Sequence, residues 1–115
     1  MSAPIGPYTP AVRAGDFIIV SGQLGIIDGA LADGVSAQTT QAVANLEARL
    51  AEMGATLADV AKTLCFLTDM GTFAEFNEAY VAAFGAHRPA RSTIGVAALP
   101  FNGSVEIEAW AYRPA

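Results

Sequence analysis

The sequence contains one cysteine and one histidine, and this scarcity excludes two kinds of site. Cys65 alone cannot form an internal disulfide, and Cys65 together with His87 cannot fill a tetrahedral metal site. We therefore expect no metal, and nothing in the sequence requires another cofactor. Cys65 also lies inside an apolar run, residues 64–67, which predicts an inert core thiol rather than a reactive nucleophile.

Basic residues are also few, since six Lys and Arg stand against eleven Asp and Glu and the pI is near 4.5. Binding to nucleic acid or anionic lipid depends on clustered positive charge, so neither is an expected partner. Apolar runs such as residues 17–20 are far shorter than the roughly 20 residues that span a membrane. Residues 1–4 show no basic start or apolar core of a signal peptide, and we expect a cytoplasmic protein.

What the sequence does contain is one continuous apolar domain. Its 115 residues suffice for one core, and no linker, charge block or repeat interrupts them, so we assign residues 1–115 to a single domain. Periodicity and turn residues predict five strands and two helices. In order these are strands 11–13 and 16–23, a loop or small hairpin at 25–34, helix 35–53, one helical turn at 56–59, strand 60–68, helix 73–84, a strand beginning near Arg91, and strand 105–112.

Two helix starts carry a capping-box pattern, Thr56 with Asp59 and Thr72 with Glu75. The order of elements predicts an α+β fold with both helices on one face of a mixed sheet. Strands 16–23 and 60–68 are apolar on both faces, and two helices can cover only one face. We therefore expect an obligate oligomer that buries the other face.

The last strand carries two carboxylates on one face. Alternation places Val105 and Ile107 on one side and Glu106 and Glu108 on the other, with the carboxylate-bearing positions about 6.6 Å apart along the strand. If the small apolar residues face the helices, both glutamates face the neighbouring subunit, where an acid must be paired or solvated in a cavity. Together with Arg91, these residues can hold an anion and handle a proton.

Each of these residues also has a purely structural interpretation. Arg91 alone is more often a solvated loop residue, and strand geometry does not choose between the two glutamates. Tyr8 and the aromatic residues of helix 73–84 can be packing residues, and Ser21 and Asn77 can pair with backbone groups. A dyad of His87 with Ser92 has no further support in the sequence.

Several stretches in register resemble a known family, the reactive intermediate deaminases, also called Rid or YjgF-type proteins and labelled endoribonuclease L-PSP. The match covers nearly the whole chain. The residues that carry it are Ile5-Gly6-Pro7-Tyr8, Ser21-Gly22-Gln23, Phe76-Asn77 with Tyr80, Pro89-Ala90-Arg91-Ser92 through Leu99-Pro100, and Val105-Glu106-Ile107-Glu108-Ala109.

The resemblance implies a chorismate-mutase-like fold assembled as a homotrimer with clefts between subunits. It implies that Arg91 binds a substrate carboxylate and that Glu106 handles the attacking water. By the same matching, the substrate-binding residues are Tyr8, Ser21, Gly22, Asn77 and Thr93. Thr93 and Gly95 depart from the best-known deaminating branch, which has cysteine in place of Thr93, but a threonine hydroxyl can still donate a hydrogen bond.

The implied activity is hydrolysis of 2-imino or 2-enamino acids, of the 2-iminobutanoate and 2-iminopropanoate type, to 2-keto acids and ammonia. It requires no cofactor and no partner other than the substrate and further copies of the chain. Two alternatives remain. A non-catalytic trimer could bind small carboxylates through Arg91, and an endoribonuclease is the third reading, weakened by the acidic composition.

Overall fold

The computed structural model describes residues 6–115. Ile5, the first residue of the stretch Ile5-Gly6-Pro7-Tyr8, lies outside the described residues, and residues 6–8 form bends. The elements match the predicted ones to within one or two residues. They are β1 Ala11–Ala14, β2 Phe17–Leu24, β3 Ile26–Ile27, β4 Ala30–Leu31, α1 Gly34–Glu52, β5 Val60–Leu67, α2 Phe73–Phe84, β6 Ala90–Gly95 and β7 Val105–Tyr112.

Five strands form one mixed sheet in the order β1-β2-β7-β5-β6, and β3 with β4 forms a small separate hairpin. Within the large sheet β5 and β6 run parallel, whereas the other neighbours are antiparallel. The last strand along the chain therefore lies at the centre of the sheet, between β2 and β5. Alternate residues of β7, namely Val105, Ile107, Ala109 and Ala111, are fully buried, whereas Glu106, Glu108 and Trp110 between them are only partly buried.

Both helices pack on one face of the sheet, as predicted. The core between them is built from Ile18 and Val20 of β2, Cys65 and Leu67 of β5, and the apolar face of β7, all fully buried. The apolar stripes of α1 and α2 close it, and their buried members are Val35, Ala42, Val43, Leu46, Leu50, Phe76, Tyr80 and Phe84. Cys65 is a core thiol, as its apolar neighbours predicted.

The start of α2 differs from the predicted capping box. Asp69, not Thr72, caps a short turn of 3₁₀ helix at Met70–Thr72, because its carboxylate accepts from the Gly71 amide at 2.8 Å. The Thr72 hydroxyl donates back to the Asp69 carbonyl at 2.6 Å. Glu75 instead accepts from the amide and hydroxyl of Ser36, at 3.2 and 3.0 Å, and so connects α2 to α1. The predicted box at Thr56 and Asp59 is present.

The face of the sheet away from the helices keeps large apolar side chains in contact with solvent. Phe17 is 42% and Tyr112 is 49% exposed, and their rings pack edge to face with centroids 5.3 Å apart. Ile19, Leu64 and Phe66 on the same face are only partly buried. Within residues 6–115, neither helix is long and apolar enough to cross a membrane.

Helix α1 lies very close to the backbone at Gly25, which follows β2. A Cβ atom at Gly25 would lie 2.5 Å from both the Cα and the carbonyl oxygen of Gln38, so only glycine leaves room for the helix backbone. Two turns further along α1, Asn45 donates to the carbonyls of Leu24 and Ile26 at 2.9 and 3.0 Å. These contacts fix the height of α1 above the sheet.

We expect Gly25→Ala to lower the free energy of unfolding by about 3 kcal/mol, because the helix must move away from β2 and the packing beneath it loosens. Thermal unfolding followed by circular dichroism measures the change. Gly29→Ala is the control. Gly29 has φ of +81° and open space around it, so this substitution should lower the free energy of unfolding by only about 1 kcal/mol, through backbone strain alone. Equal midpoints for the two variants would contradict the close approach at Gly25.

Candidate functional site

Glu106 lies in a cavity of about 440 Å³ on the open face of the sheet. The floor is made by side chains and backbone of β2, β5 and β7, and the rim by the segment before β1 and the loop before β7. The lining residues are Tyr8, Ile19, Val20, Ser21, Gly22, Phe66, Pro100, Glu106 and Glu108. The cavity thus gathers four of the residues expected in the site: Tyr8, Ser21, Gly22 and Glu106.

An irregularity in β2 makes room for the Glu106 carboxyl group. The pairing of β2 with β7 shifts register between Val20 and Gln23, so the strand bulges at Ser21 and Gly22. A Cβ atom at Gly22 would lie 2.8 Å from the carboxyl carbon of Glu106 and 3.0 Å from its Oε2. Gly22 therefore serves the site by having no side chain, and the carboxyl group packs directly on its backbone.

Ser21 attaches the segment that carries Tyr8 to the sheet. Its hydroxyl donates to the carbonyl of Thr9 at 2.8 Å, and its amide donates to the carbonyl of Pro10 at 2.9 Å. Tyr8 is 43% exposed at the rim of the cavity. The hydroxyl of Ser21 is thus already engaged with the backbone, which was the structural alternative for this residue.

The surroundings of Glu106 favour its neutral form. Partial burial in the cavity raises the pKa of the Glu106 carboxyl, and the like charge of Glu108 raises it further. Partial burial also raises the pKa of Glu108. Within residues 6–115, neither carboxylate forms an ion pair. Glu106 is therefore a carboxyl group whose pKa is shifted toward the range in which it can exchange protons near neutral pH.

Arg91, the second residue of β6, lies on the other side of the sheet, among the aromatic residues of α2. Its guanidinium carbon is 4.9 Å from the ring centroid of Tyr80, 5.4 Å from that of Phe76 and 5.6 Å from that of Phe73. Across residues 6–115, no carboxylate comes within 4.0 Å of this guanidinium. The charge is stabilised by ring faces and remains available to an anion.

Two buried polar groups near this arginine lack partners. The side-chain carbonyl of Asn77, on the same face of α2 as Phe73 and Tyr80, accepts no hydrogen bond from any described residue. The hydroxyl of Thr93, two residues after Arg91 on β6, has no partner of normal geometry either. Its neighbour across the strand pair is Cys65, whose pKa burial raises to about 11. Unpaired buried polar groups are uncommon in folded chains and mark places where a ligand can bind.

The structure therefore brings the expected site residues together as two separate groups. Arg91 pairs in register with Thr63, and Thr63 with Ala109, and both of these face the helices. Glu106 lies between Val105 and Ile107, which face the helices, so its side chain is on the opposite face. We call Arg91, Asn77 and Thr93 the arginine group, and Tyr8, Ser21, Gly22 and Glu106 the glutamate group.

The His87–Ser92 dyad is not formed. His87 Nε2 bonds the carbonyl of Val60 at 2.7 Å, and the Ser92 hydroxyl accepts from Lys62 Nζ at 2.9 Å. Sequence reasoning gave Phe73 and Phe76 only a packing role, and it missed their contact with Arg91. The spacing of Phe73, Phe76 and Tyr80 was the available signal, since these positions share one helical face.

Comparison with known proteins identifies the family. The Endoribonuclease L-PSP family model matches residues 1–113. A Salmonella typhimurium protein named 2-iminobutanoate/2-iminopropanoate deaminase is 41% identical over 116 residues, covering 96% of this chain and 91% of that one. The crystal structure of RidA from Psychrobacter superposes with a TM-score of 0.91 at 41% identity, and Escherichia coli TdcF with bound serine with 0.89 at 34%. The two structures cover 96% of this chain and 91% of their own. The chain thus belongs to the Endoribonuclease L-PSP family, the Rid or YjgF-type proteins.

Proposed function

We propose that this protein hydrolyses small 2-imino acids and their 2-enamino tautomers to 2-keto acids and ammonia. The observation that carries the proposal is Arg91, a guanidinium on three aromatic rings with no carboxylate partner among the described residues. A substrate carboxylate can accept two parallel hydrogen bonds from the planar guanidinium group, which a lysine ammonium group could not provide. The name of the Salmonella relative and the serine bound to TdcF support a small amino-acid-like substrate.

In this proposal Arg91 orients the imine carbon by holding the adjacent carboxylate. Glu106 holds a water molecule and accepts its proton as the water oxygen bonds to the imine carbon. The same carboxyl group returns this proton to the nitrogen, which gives a carbinolamine. It then accepts the proton of the new hydroxyl group and passes it to the amine nitrogen, so the carbon–nitrogen bond breaks, the carbonyl forms and ammonia leaves. Asn77, on the helix whose rings contact Arg91, and Thr93, on the strand that carries Arg91, bind the substrate in this proposal. Tyr8 and Gly22 shape the other side.

Arg91 and Glu106 lie on opposite faces of one chain, so one copy alone does not form this site. We propose that the chain assembles as a homotrimer, in which the open face of each sheet is covered by a neighbour and each site combines the arginine group of one subunit with the glutamate group of the next. The exposed Phe17 and Tyr112 and the partly buried Phe66 support burial of this face.

Replacement of either central residue should lower kcat/KM for 2-aminoacrylate breakdown by about 10²-fold or more. Arg91→Ala should raise KM by roughly 100-fold because two charge-assisted hydrogen bonds are lost. Glu106→Gln should lower kcat by about 10²-fold or more because proton transfer is lost. The imine is generated fresh by a dehydratase or an amino-acid oxidase and its disappearance is followed. Arg88→Ala is the control, since the hydrogen bonds of Arg88 within residues 6–115 go to the backbone carbonyls of Gly85 and His87, after α2. Full activity in either site variant would refute the assignment, and saturable keto-acid binding without turnover by the wild type would indicate a binding protein.

Mixing the two inactive variants tests the shared site. If Arg91→Ala and Glu106→Gln subunits are unfolded and refolded together in equal amounts, random assembly should restore about one quarter of wild-type activity. Half of the subunits carry an intact arginine group and the other half an intact glutamate group. Each site takes one group from each of two subunits, so about one site in four has both groups intact. Sedimentation at micromolar concentration checks that each sample is a trimer. A site within one chain would give no recovery, and a folded monomer would refute the assembly.

The acid limb of the kcat/KM profile should report loss of the proton from Glu106 in the free enzyme. Because Glu108 contributes to the raised pKa of Glu106, Glu108→Gln should move this limb to lower pH. Glu47→Gln, an exposed substitution on α1, serves as the control with an unchanged profile. An acid limb in the same place in Glu108→Gln as in the wild type would show that Glu108 does not influence Glu106.

A further inference from the structure

The ring closest to the Arg91 guanidinium belongs to Tyr80, and Tyr80 is itself fixed from three sides. Its ring lies between Phe76 and Phe84, with centroid separations of 5.6 and 4.7 Å. Its hydroxyl forms a 2.8 Å hydrogen bond with the hydroxyl of Thr63 on β5. Tyr80 is 3% exposed and Thr63 is fully buried. The ring therefore has very little freedom.

Core packing alone does not account for the two hydroxyl groups. Phe76 and Phe84, one turn before and one turn after Tyr80, fill the same aromatic row without a polar atom. A hydroxyl brought into the core loses its bonds to water and needs a partner there, so a phenylalanine opposite a valine would pack as well. The bond between Tyr80 and Thr63 must therefore serve orientation more than burial.

Thr63 is also the residue that pairs in register with Arg91 on the neighbouring strand. The hydrogen bond therefore connects the Tyr80 ring to Thr63, the residue beside Arg91 in the sheet, while the Arg91 guanidinium lies over the same ring. An arginine side chain has several rotatable bonds, and its stacking partner restricts them only if that partner is itself held in place. Thr63 holds the Tyr80 ring by a hydrogen bond, and the ring in turn restricts the Arg91 side chain.

We propose that Tyr80, fixed by Thr63, is a positioning residue that holds the Arg91 guanidinium in the orientation that receives a substrate carboxylate. The inference rests on carboxylate binding by Arg91, as in the proposed function, but not on turnover. Tyr80 acts through Arg91 and does not touch the reacting atoms. Loss of the bond should weaken carboxylate binding and leave the proton chemistry at Glu106 intact.

The test compares Tyr80→Phe and Thr63→Val with Thr39→Val by calorimetric titration of 2-oxobutanoate, a keto acid with the carboxylate but no imine. Thr39 is the matched control, because it is also fully buried and its hydroxyl bonds the Val35 carbonyl at 2.7 Å within α1. We expect Kd to rise about three- to tenfold in the first two variants and to stay unchanged in the control. In turnover assays KM should rise by the same factor, with kcat within about twofold.

The double variant Tyr80→Phe with Thr63→Val replaces both partners by apolar groups of similar shape, so it should remain folded where a single variant does not. Its Kd should equal that of the single variants, since all three lose the same bond. Wild-type affinity in Tyr80→Phe or in the double variant, or equal weakening in Thr39→Val, would overturn the positioning role. So would a wild type that binds no 2-oxobutanoate. A wild type that binds the keto acid but accelerates no imine hydrolysis would refute the proposed function alone, since Kd would still report on Tyr80.

Discussion

The one-sided covering of a five-stranded sheet is the constraint on which the other features of this structure depend. Both helices lie on one face, and β2, β5 and β7 present mainly apolar side chains there. The central strand β7 does so with Val105, Ile107 and two alanines, and strand alternation then places Glu106 and Glu108 on the other face. The carboxyl groups thus lie beside apolar residues such as Phe66, where partial burial raises the pKa of both.

Aromatic rings around Arg91 affect its charge differently from a carboxylate partner in a salt bridge. A carboxylate partner within the chain would neutralise the guanidinium and compete with any anionic ligand. Ring faces stabilise the charge without occupying its hydrogen-bond donors. The five N–H groups then remain available to a ligand. Asn77 is on α2, as are the rings that contact Arg91, and Thr93 is on β6 with Arg91 itself. Under the proposed function, the arginine group would need little rearrangement to bind a carboxylate.

Most of the fold could be predicted from the sequence because its signals are local. Alternation in β7 predicted which side chains face the helices, and periodicity predicted the buried rows of α1 and α2. The capping box at Thr72 was wrong because the competing cap, Asp69, lies three residues earlier and Glu75 bonds Ser36 on another helix. That choice depends on how the two helices pack, which no local pattern contains.

The division of the site into two groups could not be predicted in the same way. The face taken by Arg91 depends on the parallel register of β6 with β5, a pairing between segments about 30 residues apart. The bulge that places Gly22 under Glu106 depends similarly on the pairing of β2 with β7. Glycine at this position was assigned to the site only through resemblance, whereas the structure supplies a steric reason.

The separation of the two groups also bears on how substrate preference can change under the proposed function. The arginine group, which would bind the carboxylate common to all 2-imino acids, is held by α2 and β6 on the helix side. The variable side chain of the substrate would meet the apolar lining of the cavity that holds Glu106, at Ile19, Phe66 and Pro100. Ile19, Phe66 and Pro100 line the Glu106 cavity, whereas Arg91 and its three rings are on the helix side of the sheet. Substitutions there can alter the size of the accepted side chain while the carboxylate contact and the fold stay as they are.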